Sequence, residues 1–312
     1  MTGQSCGIMK CRMNKLAHSK RVQVLTLLCE GMSMRAAGRA ADVAYNSVCA
    51  LLADAGKACE GFHDRTVRGV QVKRVQCDEI WSFCYAKAKN VATAKMAPEI
   101  AGDLWTWLAL AADEKLIVSF LVGKRDAPCA NALMRDAASR LIGRVQLTSD
   151  GHRPYLEAVE GAFGADIDFA QLVKIYGNPE GALGRYSPGE CIGAEKRPVT
   201  GRPDPKHIST SYVERQNLNL RMGMRRFTRL TNAFSKSAEA HYAMMCLYVV
   251  FHNFIRDHKT LRMTPAEAAG LVTSAMTVSD IVDLIDARAE LPKPRGPYKP
   301  RQPKAVKDDP SI

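Results

Sequence analysis

The sequence predicts an α/β protein in which a short all-helical region precedes a mixed β-sheet flanked by helices. Two observations carry this prediction. Over residues 21–60 the apolar side chains recur every three or four residues, which is the spacing of amphipathic helices. Over residues 70–177, apolar runs rich in β-branched and aromatic residues alternate with helical segments. The chain has 312 residues, enough for two domains or for one large domain with an arm.

The composition favours a polyanionic partner. The chain has 44 Lys and Arg residues against 32 acidic residues, for a formal charge of +12. Nucleic acid is the first candidate and an anionic membrane surface the second. No apolar run approaches the roughly 20 residues of a membrane-spanning helix, and no secretory signal pattern is present. The ten cysteines are scattered without zinc-site spacing. We therefore expect a cytoplasmic protein with reduced thiols.

The N-terminal region predicts a helix-turn-helix. Residues 1–20 are polar and irregular, so we expect a flexible segment there. Residues 21–66 read as three short helices, the second capped by Ser33 and the third starting near Asn46. In a helix-turn-helix, residues near the start of the third of these helices face the major groove of DNA. The candidate DNA contacts are Arg35, Arg39, Tyr45, Asn46 and Ser47. A small helical bundle without DNA binding is the alternative.

The rest of the chain divides into a predicted catalytic domain at 67–262, a helical segment at 263–290 and a basic, disordered tail at 291–312. A basic Gly/Pro-rich stretch at 177–207 reads as an insertion in this domain. The predicted strands and helices follow one another in a fixed order. The strands are 70–85, 103–113, 115–123, 144–150 and 167–177; the helices start at Asp126, at 153, near Ser209 and near Lys236.

This order is three strands, helix, strand, helix, strand, helix, which is the order of the ribonuclease H-like fold. In such a sheet the first and fourth strands lie side by side. Asp78 lies within the first strand, Asp150 ends the fourth, and Glu214 falls in the first turns of a later helix. We therefore expect these three carboxylates to converge. Glu79 points to the other face of its strand and is the weaker candidate, expected in a polar contact.

Converging carboxylates repel one another unless a cation lies between them. Mg²⁺ is a hard ion that prefers carboxylates, water and phosphate oxygens. Two such ions about 4 Å apart can activate an attacking oxygen and stabilise a leaving one in phosphoryl transfer. The sequence therefore predicts a site for Mg²⁺ or Mn²⁺, with two ions, at Asp78, Asp150 and Glu214.

The predicted helix that carries Glu214 also carries arginines. Arg221 lies seven residues later, two turns along and about 10 Å away, and Arg225 continues the row. A carboxylate for metal and guanidinium groups for phosphates suit a helix that faces DNA. A solvated helix face with coincidental spacing is the alternative.

Four segments resemble one known family: "QCDEIWSFCYAKAKN", "VQLTSDGHRPYLEAVEGAFG", "STSYVERQNLNLRMGMRRFTRLTNAFSKS" and "HKTLRMTPAEAAG". They are similar to bacterial insertion-sequence transposases of the DDE type, specifically the family of insertion sequence one and its relatives. The resemblance implies a metal-binding triad at Asp78, Asp150 and Glu214, with Arg221 as the basic residue seven positions after the glutamate. His152 resembles a family position as well, either as a catalytic residue or as a plain hydrogen-bonding histidine.

Two features depart from the family pattern. The spacing from Asp150 to Glu214 is longer than in many integrases, which is why the stretch at 177–207 reads as an insertion. No complete zinc site precedes the helix-turn-helix, although some relatives carry one.

The sequence therefore predicts a DNA transposase that binds the terminal inverted repeats of its element. The resemblance implies hydrolysis at the element ends, then attack of the freed 3′-hydroxyl on target DNA. The expected partners are double-stranded DNA and further copies of the chain, at least a dimer on DNA, and no membrane. Two alternatives stay open, a nuclease or resolvase of the same fold and a helix-turn-helix repressor.

Overall fold

The computed structural model describes residues 15–177, 190–228 and 231–288. Most of the segment predicted to be flexible, the predicted disordered tail and residues 178–189 of the predicted insertion lie outside this part of the chain.

The elements follow the predicted order from the helical region into the sheet. The helices are α1 (His18–Cys29), α2 (Met34–Ala41), α3 (Tyr45–Thr66), α4 (Ala127–Arg140), α5 (Pro154–Phe163), α6 (Ser211–Gly223), α7 (Ala238–Val250), α8 (Pro265–Ala268) and α9 (Val278–Arg288). The strands are β1 (Arg74–Cys84), β2 (Gly102–Ala111), β3 (Ile117–Gly123), β4 (Gln146–Asp150), β5 (Asp168–Gly177) and β6 (Glu190–Thr200).

Within the described residues the strands form one six-stranded mixed sheet in the order β3-β2-β1-β4-β5-β6. β1 pairs in parallel with β4, and β4 in parallel with β5, whereas the remaining pairs are antiparallel. The predicted fold class, an α/β protein with a mixed sheet flanked by helices, is confirmed. The first and fourth strands lie side by side, as this fold requires.

The sixth strand comes from the stretch that the sequence analysis treated as an insertion. β6 pairs along β5 and forms one edge of the sheet in the described residues. Its large apolar residues, Ile192 and Val199, are 67% and 45% exposed. Because neither face of this strand is buried, it lacks the apolar alternation by which a strand is found in a sequence.

Helices cover both faces of the sheet. Buried Trp107 of β2 packs against Tyr155 of α5 on one face, with ring centroids 5.6 Å apart. On the other face α6 packs against β1 and β2, and Thr106 lies 3.4 Å from His241 of α7. α7 is buried along most of its length, as predicted. The site described below lies at the carboxyl end of β4.

The N-terminal helices pack onto the sheet domain. Ser33 caps α2 as predicted, since its side chain accepts a hydrogen bond from the backbone N–H of Ala36. α3 continues to Thr66, and a Cβ added at its Gly56 would lie 2.5 Å from the Cβ of Ala243 in α7. A glycine here therefore permits close approach of two helix backbones.

One predicted helix is shorter than expected. The sequence pattern continued it through Arg225, but α6 ends at Gly223 and Met224 has an extended backbone with φ −121° and ψ 113°. Arg225 then begins a single 3₁₀ turn, so the prediction that it continues the row of Arg221 is wrong. Burial does not account for this end, because Leu220, Met224 and Phe227 are all buried and their spacing of i, i+4 and i+7 would also fit one face of a continued helix.

Two further properties concern the described residues as a set. None of their helices is long and apolar enough to cross a membrane. Their cysteines are free thiols, and Cys77, Cys84 and Cys246 are buried.

Candidate metal centre at the end of the fourth strand

Asp78 and Asp150 meet because of strand register. Cys77 of β1 pairs with Ser149 of β4 in parallel, so the next residues, Asp78 and Asp150, lie side by side. Residues in register on neighbouring parallel strands point to the same face. Asp78 accepts a hydrogen bond from Asn217 of α6 at 2.7 Å, which places this face under α6.

Strand β1 holds the start of α6 in place. The side-chain oxygen of Gln76 accepts hydrogen bonds from the backbone N–H groups of Tyr212 and Val213, at 2.9 and 3.0 Å. These are N–H groups of the first helical turn, which have no partner within the helix. Gln76 and Asn217 therefore fix α6, and with it Glu214, over the carboxylate of Asp78.

Glu214 is held by two groups of the chain. Lys174 of β5 donates to its carboxylate at 2.6 Å, and the hydroxyl of Thr210 donates to the other oxygen. Its side chain is 38% exposed. Glu214 lies close enough to raise the pKa of Asp78, but the oxygens that approach one another most closely belong to Asp78, Glu79 and Asp150.

The side chain of Glu79 is 1% exposed and lies on the opposite face of β1 from Asp78. Its Oε1 is 3.6 Å from Nε of Arg125 and 3.7 Å from Nε2 of His152. It is therefore in polar contact, but it also reaches the other two acids. One oxygen each from Asp78, Glu79 and Asp150 lie within 4.8 Å of one another.

Burial and repulsion by neighbouring acids disfavour ionisation of Asp78 and Glu79. Burial, reinforced by Asp150 and Glu214, raises the pKa of Asp78 to about 6, although hydrogen bonds from the Glu79 N–H and Asn217 oppose this. Burial, with Asp150, raises the pKa of Glu79 to about 8, and Arg125 opposes the shift. A cation among these groups would favour the charged forms.

His152 lies beside the same cluster. Its backbone N–H donates to Asp150 at 3.0 Å, and its ring packs 5.7 Å from that of Trp107, measured between centroids. Burial, together with the charge of Arg125, lowers the pKa of the ring. The backbone hydrogen bond fixes the orientation of Asp150 and does not involve the imidazole ring.

The candidate DNA contacts fall in two places. Arg221 is half-buried in the last turn of α6. Arg225 is exposed and lines a groove together with Arg35 and Tyr45, and the Arg35 guanidinium lies 4.8 Å from the centre of the Tyr45 ring. The other candidates surround this groove: Arg39 borders an adjoining depression, and Asn46 and Ser47 lie in the first turn of α3.

Several residues of the site escaped the sequence analysis. Lys174 lies among apolar residues and Arg125 follows Lys124, and nothing in their spacing links either residue to an acid 40 or 25 residues away. Asn217 could have been found, since it lies three residues after Glu214, one turn along the predicted helix. Gln76 could have been noted too, as a polar residue in an apolar strand.

The donor groups fit a hard divalent cation. The clustered atoms are carboxylate oxygens, which Mg²⁺ and Mn²⁺ prefer over nitrogen or sulfur. The Oε1 atom of Glu79 is buried and accepts no hydrogen bond from the described residues. A buried carboxylate oxygen of this kind is costly without a cation or a donor.

Comparison with known proteins gives one family. Residues 199–255, which contain all of α6 and α7, match the family described as IS1 transposase. No curated protein matches the sequence significantly. Among solved structures, a piggyBac transposase from a synaptic complex with hairpin DNA is similar at 8% identity and a TM-score of 0.44, covering 88% of this chain and 72% of that one.

The matched segment contains Glu214, Arg221 and the helix that lies over Asp78. It thus includes one of the stretches on which the resemblance was based. The match supports a DNA transposase, and it confirms the resemblance of this chain to the DDE-type transposases of insertion sequences.

Proposed function

We propose that this protein is a DNA transposase that cleaves the ends of its element and joins the freed 3′-hydroxyl groups to target DNA. One observation carries the proposal. Asp78 and Asp150 lie side by side on parallel strands, under the helix of the segment that matches the IS1 transposase family. This brings two carboxylates and the Glu214 helix together at the carboxyl end of β4, in the middle of the sheet.

Asp78, Asp150 and Glu214 would hold Mg²⁺ or Mn²⁺, with two ions per site. Bound there, the ions supply Lewis-acid stabilisation of the attacking and leaving oxygens. The chain's own residues position the reactants: Arg221 orients the scissile phosphate, and His152 fixes Asp150 through its backbone N–H. Lys174 leaves Glu214 when the acid takes a metal, and its ammonium group then contacts DNA phosphate.

Both reactions are in-line displacements at phosphorus. In the first, water attacks a phosphodiester and the bond to the 3′-oxygen breaks, which leaves a 3′-hydroxyl and a 5′-phosphate. In the second, that 3′-hydroxyl attacks a target phosphodiester, and the displaced target oxygen takes the proton. In each step one P–O bond forms as another breaks, and the proton of the attacking water or hydroxyl goes to the displaced oxygen, so a single site serves both steps without a covalent protein intermediate.

The N-terminal helices would bind the terminal inverted repeats. Arg35, Arg39, Tyr45, Asn46 and Ser47 are exposed or partly exposed residues of α2 and α3, and Arg225 lines the same groove as Arg35 and Tyr45. The chain's charge of +12 supports an electrostatic contribution to this binding. Because two element ends must be held together, we propose at least a dimer on DNA.

A strand-transfer assay tests the function. Purified protein, Mg²⁺ and a duplex carrying the element end are incubated with supercoiled plasmid, and joined products are counted. We expect Mg²⁺-dependent joining by the wild-type protein and none by Asp78→Asn. Cleavage without joining would favour the nuclease or resolvase, and specific binding without either reaction would favour the repressor.

Point variants test the DNA-binding surface better than a deletion, because α3 packs against α7 and its removal would expose the core. Arg35→Ala and Arg39→Ala should each weaken binding and reduce the salt dependence by about one unit of slope. Arg135→Ala, an exposed arginine of α4, is the matched control. Equal binding by all three variants would contradict the assignment of this surface.

A further inference from the structure

Glu79 is a buried carboxylate that the proposed function has not used. Its side chain is 1% exposed, and its Oε1 accepts no hydrogen bond within the described part of the chain. Two nitrogen atoms near it, Nε of Arg125 and Nε2 of His152, are 3.6 and 3.7 Å away, too far for hydrogen bonds. Burying a carboxylate under these conditions costs free energy that a structural role does not recover.

The Glu79 carboxylate approaches the other acids. Oxygens of Asp78, Glu79 and Asp150 lie within 4.8 Å of one another, although Glu79 starts from the opposite face of β1. It reaches them because β4 ends at Asp150, so no further strand residue separates the two faces. Ligand oxygens around Mg²⁺ lie about 2.1 Å from the ion and hence about 3 to 4 Å apart. Small side-chain rotations would bring all three to that spacing.

Arg125 already places a positive charge between two of these acids. Its guanidinium lies 3.6 Å from Glu79 and 3.5 Å from Asp150, and it packs 5.0 Å from the centre of the Trp105 ring. Its side chain is 38% exposed, so it can move outward without opening the core. The position between Glu79 and Asp150 therefore attracts a cation in the metal-free chain.

We infer that Glu79 is a metal ligand, which binds one divalent ion together with Asp78 and Asp150 from the opposite face of the first strand. Arg125 acts as the counter-ion of these acids in the metal-free protein and withdraws when the ion binds. This inference rests on the proposed function for the presence of the ion, and it adds a carboxylate that the triad does not contain.

Binding of Mn²⁺ to the full chain without DNA tests the inference, with free Mn²⁺ measured by its electron paramagnetic resonance signal. Glu79→Gln keeps the size of the side chain and removes its charge. We expect it to weaken Mn²⁺ binding by about tenfold or more, and we expect the same of Asp150→Asn. Glu114→Gln is the matched control, because Glu114 also has a buried oxygen without a hydrogen-bond partner but lies outside the cluster.

A second variant guards against misfolding. Glu79→Asp keeps the charge on a chain one carbon shorter and should recover part of the affinity, and thermal unfolding without metal checks each fold. If Glu79→Gln and Glu79→Asp bind Mn²⁺ like wild type while Asp150→Asn does not, the inference is overturned and the proposed function stands. If Asp150→Asn also binds normally, the metal assignment of the proposed function fails with it.

Discussion

The side chain of Glu79 lies on one face of β1, and Glu214 lies over the other face. The two side chains differ in exposure and in hydrogen-bond partners. Glu79 is buried, with no hydrogen-bond partner for its Oε1 in the described residues, whereas Glu214 is 38% exposed and is held by Lys174 and Thr210. The family motif indicates Glu214, but the geometry of the metal-free chain groups Glu79 with Asp78 and Asp150. A sequence motif indicates which acids could bind a metal ion, and the packing shows which acids lack a hydrogen-bond partner.

Each glutamate nevertheless has a cation of the chain beside it. Arg125 lies between Glu79 and Asp150, and Lys174 lies on Glu214. In the metal-free protein, each cation stabilises the charged form of the acid beside it. A metal ion that binds the same acid would compete with that cation. The two sides of the strand can therefore be tested separately, by removing either the acid or its cation.

The largest effect should come from the acids themselves. Asp78→Asn, Asp150→Asn and Glu214→Gln should each reduce Mg²⁺-dependent cleavage of element-end DNA about a thousandfold, because several kcal/mol of charge stabilisation are lost. Thermal unfolding should show that each variant stays folded, since the acids repel one another. Near-normal cleavage by Glu214→Gln would contradict the metal-binding role of Glu214 and leave Glu79 as the glutamate that binds the metal ion.

On the Glu214 side, Arg221→Ala should lower the cleavage rate about tenfold to a hundredfold and lower DNA binding much less. Arg221 is on the same helix, two turns beyond the acid, and its fork-shaped guanidinium would orient one phosphate. Arg225→Ala should instead weaken binding and flatten its salt dependence by about one unit, because Arg225 lies past the end of α6. Cleavage rates and DNA-binding isotherms of the two variants, measured over a salt series, test these expectations. Unchanged rates and isotherms for both variants would contradict the proposal that α6 faces DNA.

On the Glu79 side, stability without metal should depend on pH. The folded chain raises the pKa of Glu79 from 4.5 to about 8, so it keeps a proton that the unfolded chain releases. The stability from this group is fully present below pH 4.5 and is lost as the pH rises to about 8.

Glu79→Gln lacks this titration. Its advantage in unfolding free energy over wild type should therefore grow by at least about 1 kcal/mol between pH 5 and 8. Urea unfolding with a chelator present measures the difference. Parallel pH curves for the two proteins would mean that the folded chain does not raise the pKa of Glu79.

The smallest effect concerns Lys174. Lys174→Ala frees Glu214 from an ion pair that is partly exposed, so Mn²⁺ affinity should rise only about threefold. Cleavage should fall, because the same ammonium group contacts DNA phosphate in the proposed function. Opposite signs in the two assays identify a residue that acts on both metal and DNA; exposed Lys259→Ala should change neither. A fall in both would show that Lys174 only supports the local structure.

The sequence predicted those parts of the molecule that depend on local patterns. The caps at Ser33 and Asp126 are side chains that bond N–H groups two or three residues away, and both are confirmed. The adjacency of β1 and β4, which brings Asp78 beside Asp150, followed from the order of elements. Local chemistry and chain order are both readable in one sequence.

Features that depend on distant contacts were missed. Arg21 of α1 pairs with Asp286 of α9, 265 positions away, and nothing near either residue predicts it. The strand β6 was missed because its exposed apolar residues show no buried face. The end of α6 at Gly223 was not predicted either, and the approach of Glu79 to Asp150 depends on where β4 stops.

The most direct measurement is the position of a divalent ion in crystals of the protein soaked with Mn²⁺, located by its anomalous scattering. The account predicts a peak between the carboxylates of Asp78 and Asp150, with Glu79 among its ligands and Arg125 moved away. Diffraction from Asp78→Asn crystals, soaked in the same way, should lack this peak. Wild-type crystals without a peak between the first and fourth strands would contradict the account.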